Sequence, residues 1–341
     1  MNSTERVLAT IEGRPVDRRP VAVMLSLYGA GLIDCPLREY YTNADRYVEG
    51  QLAVRETFAP DILFAPFLLT AEGEAFGSQL TLRRDNPPIF EQPVLKADDA
   101  WDKLPIPDVD SNPRLVFIRE ALRRLVREAN GEVPVAAIAL SPADLPIMLL
   151  GLEPWLKGVL FNETKARQLI DVTLSFFIRW TRALFQDGAS MVVIPQAFTN
   201  PLIVTVDIAK RLSIPALKKA LAHVNGHFVL HNVGQPILPF LELYRDAAIG
   251  KVIGYVLDPA DSFARAREIL GPEPVLMGNF DAPSLNTRSA KAVSEACTSL
   301  LDERRDDPRF ILSTAGPDVP LSTPAENILA MVEAVRNESS R

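Results

Sequence analysis

His227-Phe228-Val229-Leu230-His231-Asn232-Val233-Gly234-Gln235-Pro236 is the stretch whose reading decides the fold. The apolar run from Phe228 to Leu230 is of strand type and delivers His231 to its end. The Asn-Val-Gly-Gln-Pro that follows must turn before the next helix-patterned segment begins. A histidine so placed leaves a sheet edge for a loop, which is where α/β enzymes keep their chemistry. The bland alternative is a histidine that only caps a strand. Clustering favours chemistry, because His223, His227 and His231 are the only three histidines in the chain.

Working outward, similar runs recur at intervals. Val21-Ala22-Val23-Met24-Leu25, Asp61-Ile62-Leu63-Phe64-Ala65, Val135 to Ala139 and Ser190 to Ile194 precede the histidine strand. Val252 to Tyr255, Val275 to Gly278 and Phe310 to Ser313 follow it. Amphipathic segments separate them, including one capped by Ser3 and ended by Gly13, one opened by Asn43, and one from Asn112 to Asn130. Eight short, continuously apolar strands alternating with helices predict an α/β chain folded as a single (β/α)8 TIM-type barrel over residues 1–341. Strands buried on both faces lose the inside–outside alternation. No Gly-x-Gly-x-x-Gly turn supports a dinucleotide-binding open sheet. Residues 79–95 do alternate, with Asp85-Asn86-Pro87-Pro88 as the turn, and predict an inserted rim hairpin with one wet face.

Composition narrows the function classes. Apolar residues make up 48% and charged ones 23% of 341 residues, ordinary for a globular enzyme. A net charge of −7 supplies no basic footprint for nucleic acid or for a membrane surface. There is no apolar run of membrane-spanning length, and the polar start of the chain does not resemble a signal peptide, so a cytoplasmic protein is expected. Cys35 and Cys297 form no Cys-x-x-Cys pair and are expected to be free thiols. An oligomer is compatible with all of this.

Residues just past the strands of a barrel share one mouth. Those positions hold Ser26 and Tyr28, Glu72 and Glu74, Ser141 and Asp144, Gln196 and Asn200. They continue with His231, Asn232 and Gln235, Asp258, Asn279 and Asp281, and Ser313, Thr314 and Asp318. Loop Asp and Asn residues mostly cap helices. The stretches Gly278-Asn279-Phe280-Asp281 and Gly316-Pro317-Asp318 say more, because glycine beside a carboxylate at a strand end admits close approach of a ligand.

Several stretches together resemble one family. They are Gly13-Arg14-Pro15-Val16-Asp17-Arg18-Arg19-Pro20-Val21, Asp61 through Gly77 with Glu72-Gly73-Glu74, Leu149-Leu150-Gly151-Leu152-Glu153, Leu230-His231-Asn232-Val233-Gly234, Met277 to Asp281, and Gly316 to Pro320 with Thr323 to Ile328. The chain resembles the uroporphyrinogen decarboxylase superfamily, which also contains corrinoid-dependent methyltransferases of the methylcobalamin:coenzyme M type. The resemblance implies a (β/α)8 barrel, in agreement with the strand count.

The departures decide between the branches. The decarboxylases carry an Arg-rich stretch after the first strand, where this chain reads Met24-Leu25-Ser26-Leu27-Tyr28, and an essential aspartate where it has Leu68. A porphyrinogen with several carboxylates would lack its cationic clamp. The methyltransferases hold zinc with a His-x-Cys motif and a later cysteine. This chain keeps His231 but has Val233 and Pro317 at the cysteine positions. Valine and proline donate no electron pair, so zinc is not expected, and His231 with Asp258, Asp281 or Asp318 is the weak alternative for another metal.

Glu74 and the last two loops resemble the methyltransferase branch more closely. The resemblance therefore implies transfer of a methyl group between a corrinoid (cobalamin), free or on a partner corrinoid protein, and a small-molecule donor or acceptor. Demethylation of an ether, amine or similar donor fits the missing cysteines better than thiol methylation does. His231 is the expected general base or substrate hydrogen-bonder, oriented by Asp318 and Asp281. Tyr28, Glu74, Gln196, Asn232, Gln235 and Asn279 are the expected substrate-binding residues. Decarboxylation of a smaller acid and a non-catalytic ligand-binding barrel are the competing expectations.

Overall fold

The structure, a computed structural model, describes residues 1–81 and 88–338. The strands are β1 (Val21–Ala22), β2 (Leu63–Phe64), β3 (Gln79–Thr81), β4 (Ile89–Gln92), β5 (Val135–Ile138), β6 (Met191–Pro195), β7 (Phe228–His231), β8 (Val252–Val256), β9 (Val275–Asp281) and β10 (Phe310–Ala315). Eight of them form one sheet in the order β1-β10-β9-β8-β7-β6-β5-β2, with every neighbouring pair parallel. Helices fill the crossovers, as parallel connections demand. The eight strands read from the sequence are these eight.

Alternation along each strand sorts its side chains into two cores. Ala22, Phe64, Ala136, Val193, Val229 and Met277 pack together inside the barrel. Val21, Leu63, Val135, Val192, Phe228 and Leu276 face the helices. The period of two then places His231, two residues beyond Val229, on the inward face at the end of its strand. In register it stands between Pro195 of β6 and Val256 of β8.

The seam between β1 and β2 is closed by side chains at both ends. At the start of β2, the Asp61 N–H donates to the Val21 carbonyl at 2.8 Å, and the Val21 N–H donates back to Asp61 Oδ2 at 2.8 Å. The same carboxylate, wholly buried, accepts from Arg6 Nη1 at 2.7 Å, Arg18 Nη1 at 2.6 Å and Ser3 Oγ at 2.7 Å. Ser3 is thus spent on Asp61, and it is Asn2 that caps the first helix, Ser3–Glu12, in a capping box with Glu5. At the mouth end, Ser26 Oγ accepts from the Phe67 N–H at 3.0 Å and bonds the Tyr47 hydroxyl at 2.8 Å. Tyr47 in turn donates to the Phe64 carbonyl at 2.9 Å.

The segment after β2 leaves the barrel as expected. β3 and β4 pair antiparallel as a separate two-stranded sheet, with Leu80 opposite Phe90 and half-buried outside the barrel. The turn residues Asp85 to Pro87, and Leu82, lie outside the described residues.

Removing this buried carboxylate would take away the partner that Arg6 and Arg18 share at the seam. Asp61→Ala should destabilise the fold by about 3–5 kcal/mol in urea unfolding. A loss under about 1 kcal/mol would mean that the seam is held by packing alone.

Candidate active site

Two glycine turns build the mouth. Gly234 (φ +75°) follows β7 and Gly316 (φ +88°) follows β10, and a Cβ on Gly234 would stand 3.4 Å from the Gly316 Cα. Both occupy the left-handed region that favours glycine, and the two turns lie within van der Waals contact of each other. Their contact brings the β7 loop, with His231 and Val233, against the β10 loop, with Pro317 and Asp318. The four residues line one cavity of about 290 Å³, whose remaining wall comes from Leu27, Tyr41, Phe67, Leu68, Leu69 and Thr70 with Pro88 at the hairpin. His231 and Asp318 therefore share one mouth.

Val233 lies at φ +56°, where a β-branched residue is strained. That conformation aims its N–H at His231 Nδ1, 3.0 Å away. Nδ1 is thereby an acceptor, so the neutral ring carries its proton on Nε2. Nε2 is buried with no protein partner, and burial lowers the imidazole pKa to about 4. Phe67 leans on the ring at a centroid distance of 6.2 Å. Beneath His231 is a second, apolar cavity of about 20 Å³ inside the barrel, which also touches Ser313 and Thr314 and has room for one water.

Asp318 accepts from the Leu27 N–H through Oδ2 at 2.9 Å, and its Oδ1 is buried without a partner. Burial pushes its carboxyl well above the usual carboxylate range, against the opposing amides of Leu27, Val319 and Ser26. The cavity thus presents an uncharged imidazole and a carboxyl that burial favours in its neutral form.

The other expected residues divide by location. Asn232 donates to Asp258 Oδ2 at 3.2 Å and leaves its own Oδ1 buried and unpartnered. Asn279 donates to the carbonyls of Asp258 at 3.0 Å and Asp261 at 3.4 Å. These asparagines knit the loops after β7, β8 and β9 beside the cavity. Gln235 is half-buried in the β7 turn, its N–H donating to the Asn232 carbonyl.

Tyr28 and Gln196 are buried and committed, the first to the Thr323 carbonyl at 2.7 Å and the second to the Tyr244 hydroxyl. Glu74 is held by Arg114 Nε at 2.5 Å and Nη2 at 3.0 Å, away from the cavity. Asp281 is exposed and caps the Ser284 N–H at 3.0 Å, so it is not brought to His231. His223 and His227 are exposed and precede β7, at the opposite end of the barrel from the mouth.

Phe67, Thr70 and Tyr41 are cavity residues that the sequence reading passed over. The first two sit just past β2 and obey the strand-end rule. Tyr41 ends the short helix Leu37–Tyr40 and had no such signal.

Among the described residues no group of three His, Cys, Asp or Glu side chains is arranged to hold a metal ion. His231, Val233 and Pro317, the positions at which the resemblance led us to look for zinc ligands, line one cavity. Two of the three are hydrocarbon, so the residues present do not fit zinc. Cys35 and Cys297 are both free and buried.

Nitrogen-15 NMR of labelled protein should find His231 as the neutral Nε2–H tautomer from pH 5 to 8, charging only as the pH falls towards about 4. A charged ring at pH 6, or a proton on Nδ1, would show that Val233 does not set the tautomer.

The comparisons agree with this architecture. Residues 2–338 match the model of the uroporphyrinogen decarboxylase (URO-D) family. A methylcobamide:CoM methyltransferase, MtaA, of Methanosarcina barkeri is 25% identical over 338 residues, covering 96% of both chains. A uroporphyrinogen decarboxylase of Alkalilimnicola ehrlichii is 25% identical over 360 residues, covering 99% of this chain and 94% of the relative. Among solved structures, a methyltransferase from Methanosarcina mazei superposes over 100% of both chains with a TM-score of 0.89 at 21% identity. A B12-independent methionine synthase from Shewanella reaches a TM-score of 0.58 at 13% identity, covering 88% of this chain and 89% of that one. With the family pattern running through almost the whole chain, the protein belongs to the uroporphyrinogen decarboxylase family.

Proposed function

We propose that this chain is a methyltransferase of the corrinoid-dependent kind that works without a cysteine-held zinc, taking a methyl group from a small donor. The carrying observation is the meeting of His231, Val233, Pro317 and Asp318 around one small, mostly apolar cavity at the barrel mouth. An apolar wall suits a methyl group, and dry surroundings strengthen whatever polar contacts the site makes. Decarboxylation of an acid is less well supported. No arginine or lysine lines the cavity among the described residues, and a carboxylate needs such a clamp.

The cavity has the volume of a small substrate and not of a corrin macrocycle. A corrinoid would meet the substrate from outside this cavity, and delivery by a partner corrinoid protein fits that size. When bound, a reduced corrinoid supplies the nucleophile that takes the methyl group.

The chain's own residues do the rest. Val233 holds His231 so that its Nε2–H can donate to the donor's leaving atom. Burial of the Asp318 carboxyl works against a negative charge beside that atom as it accumulates charge. Asn232 and Asn279 position the loops beside His231. No helix among the described residues is long and apolar enough to cross a membrane, and a cytoplasmic setting suits the free thiols.

The test is anaerobic consumption of reduced cobalamin in the presence of methylated donors, followed by its visible absorption. His231→Ala should slow it by on the order of 100-fold or more while leaving the thermal midpoint within a few degrees. Unchanged rates in that variant would remove His231 from the chemistry, and carbon dioxide release from a carboxylic acid would favour decarboxylation instead.

A further inference from the structure

We infer that the apolar face made by the helix Leu152–Phe161 and the neighbouring loop 200–206 docks a second copy of this chain, helix against helix and antiparallel, in a symmetric dimer. The inference does not depend on the methyl-transfer reading. The placement of exposed apolar side chains carries its first half, and the charge pattern of the helix carries its second.

Exposed apolar side chains scattered singly need no explanation, but gathered ones mark an interaction surface. Among the described residues eight large apolar side chains are exposed, and five of them fall on these two segments. They are Leu152, Leu160 and Phe161 on the helix, and Leu202 and Val206 on the loop. Phe161 is 83% exposed and Leu202 72%.

The two segments are neighbours in space. Trp155, on the buried side of the helix, packs against Phe198, which leads into the loop, with ring centroids 5.5 Å apart. Arg211 ties them again by pairing with Glu163, just past the helix, and with Asp207, beside Val206. The helix follows β5 and the loop follows β6. None of the five residues lines the mouth cavity.

The helix itself says what covers the face. Leu152, Leu156 and Leu160 recur every four residues and form one stripe, about 12 Å long at ~1.5 Å per residue. Laid antiparallel on its own copy with Leu156 at the two-fold axis, the stripe sets Leu152 against Leu160 of the second copy, and Leu160 against Leu152 of the second copy. Glu153 and Lys157 flank the stripe on one side and pair with each other at 2.7 Å. In the antiparallel arrangement the same flanks meet, so Glu153 of each copy faces Lys157 of the other. The pairs can exchange between copies with no charge left over.

Elsewhere on the face Glu163 is matched by Arg167, and Asp207 by Arg211. A face balanced in this way gives a strongly acidic or basic partner nothing to pair with. It also does not repel its own copy, although the chain as a whole carries −7.

Sedimentation equilibrium of the full chain tests the inference, and should give twice the chain mass of 37.6 kDa. Leu160→Glu and Phe161→Glu, both at exposed positions, should each raise the dimer dissociation constant by about tenfold or more, with circular dichroism unchanged. Lys157→Glu should also weaken the dimer, because it sets like charges opposite each other. Exchanging the pair, Glu153→Lys together with Lys157→Glu, should restore it. A monomer at every concentration overturns the inference, whatever other protein the face binds. So does a dimer that Leu160→Glu and Phe161→Glu leave intact, or one that the exchanged pair fails to restore.

Discussion

Asp61 is the constraint on which the barrel depends. An eight-stranded parallel sheet with β1 and β2 at its ends becomes a barrel only if those two strands meet. Each contributes two residues to the regular ladders, too few to secure a seam by themselves. The Asp61 carboxylate supplies what the ladder lacks by gathering Arg6, Arg18, Ser3 and the Val21 N–H in one buried knot. A charged knot of this kind adds little net stability over a well-packed apolar one, but it specifies which strands adjoin. Ser26, Tyr47 and the Phe67 N–H do the matching work at the mouth, so the seam that closes the barrel also fixes one wall of the cavity.

With the barrel closed, the site follows from one contact between loops and one within the β7 loop. Gly234 and Gly316, both in the left-handed region, turn the β7 and β10 loops into contact. Val233, held in a conformation that costs of order 1–3 kcal/mol, spends that strain on the His231 tautomer. A backbone N–H and hydrocarbon side chains surround His231 here, and its Nε2 is left without a protein partner.

Much of this was legible in the sequence, for reasons that can be named. The barrel strands are continuous apolar runs bounded by turn residues, a strong signal, and all eight lie where the runs lie. His231 and Asp318 follow strands, so the rule that strand ends share a mouth was enough to join them. The rule failed where a polar residue past a strand was needed for something else. Glu74 faces Arg114 on the next helix, Gln196 meets Tyr244, and Asp281 caps the turn after its own strand. Sequence position locates a side chain near the mouth but not its partner, and loop carboxylates and amides have many partners to choose from. The strain at Val233 and the Nδ1 contact were invisible for a related reason, since φ at a non-glycine residue has no signature in a single sequence. Tyr41 reached the cavity through the packing of a helix–turn segment, which no periodicity announces.

The central claim is that methyl chemistry proceeds at this mouth with no bound zinc to prepare the substrate. Its most direct test is the rate of methyl transfer by protein stripped of metal with a chelator, with zinc content established by elemental analysis, before and after zinc is added back. The predicted result is the same rate in both states. Activity that disappears with the metal and returns with about one zinc per chain would contradict the account.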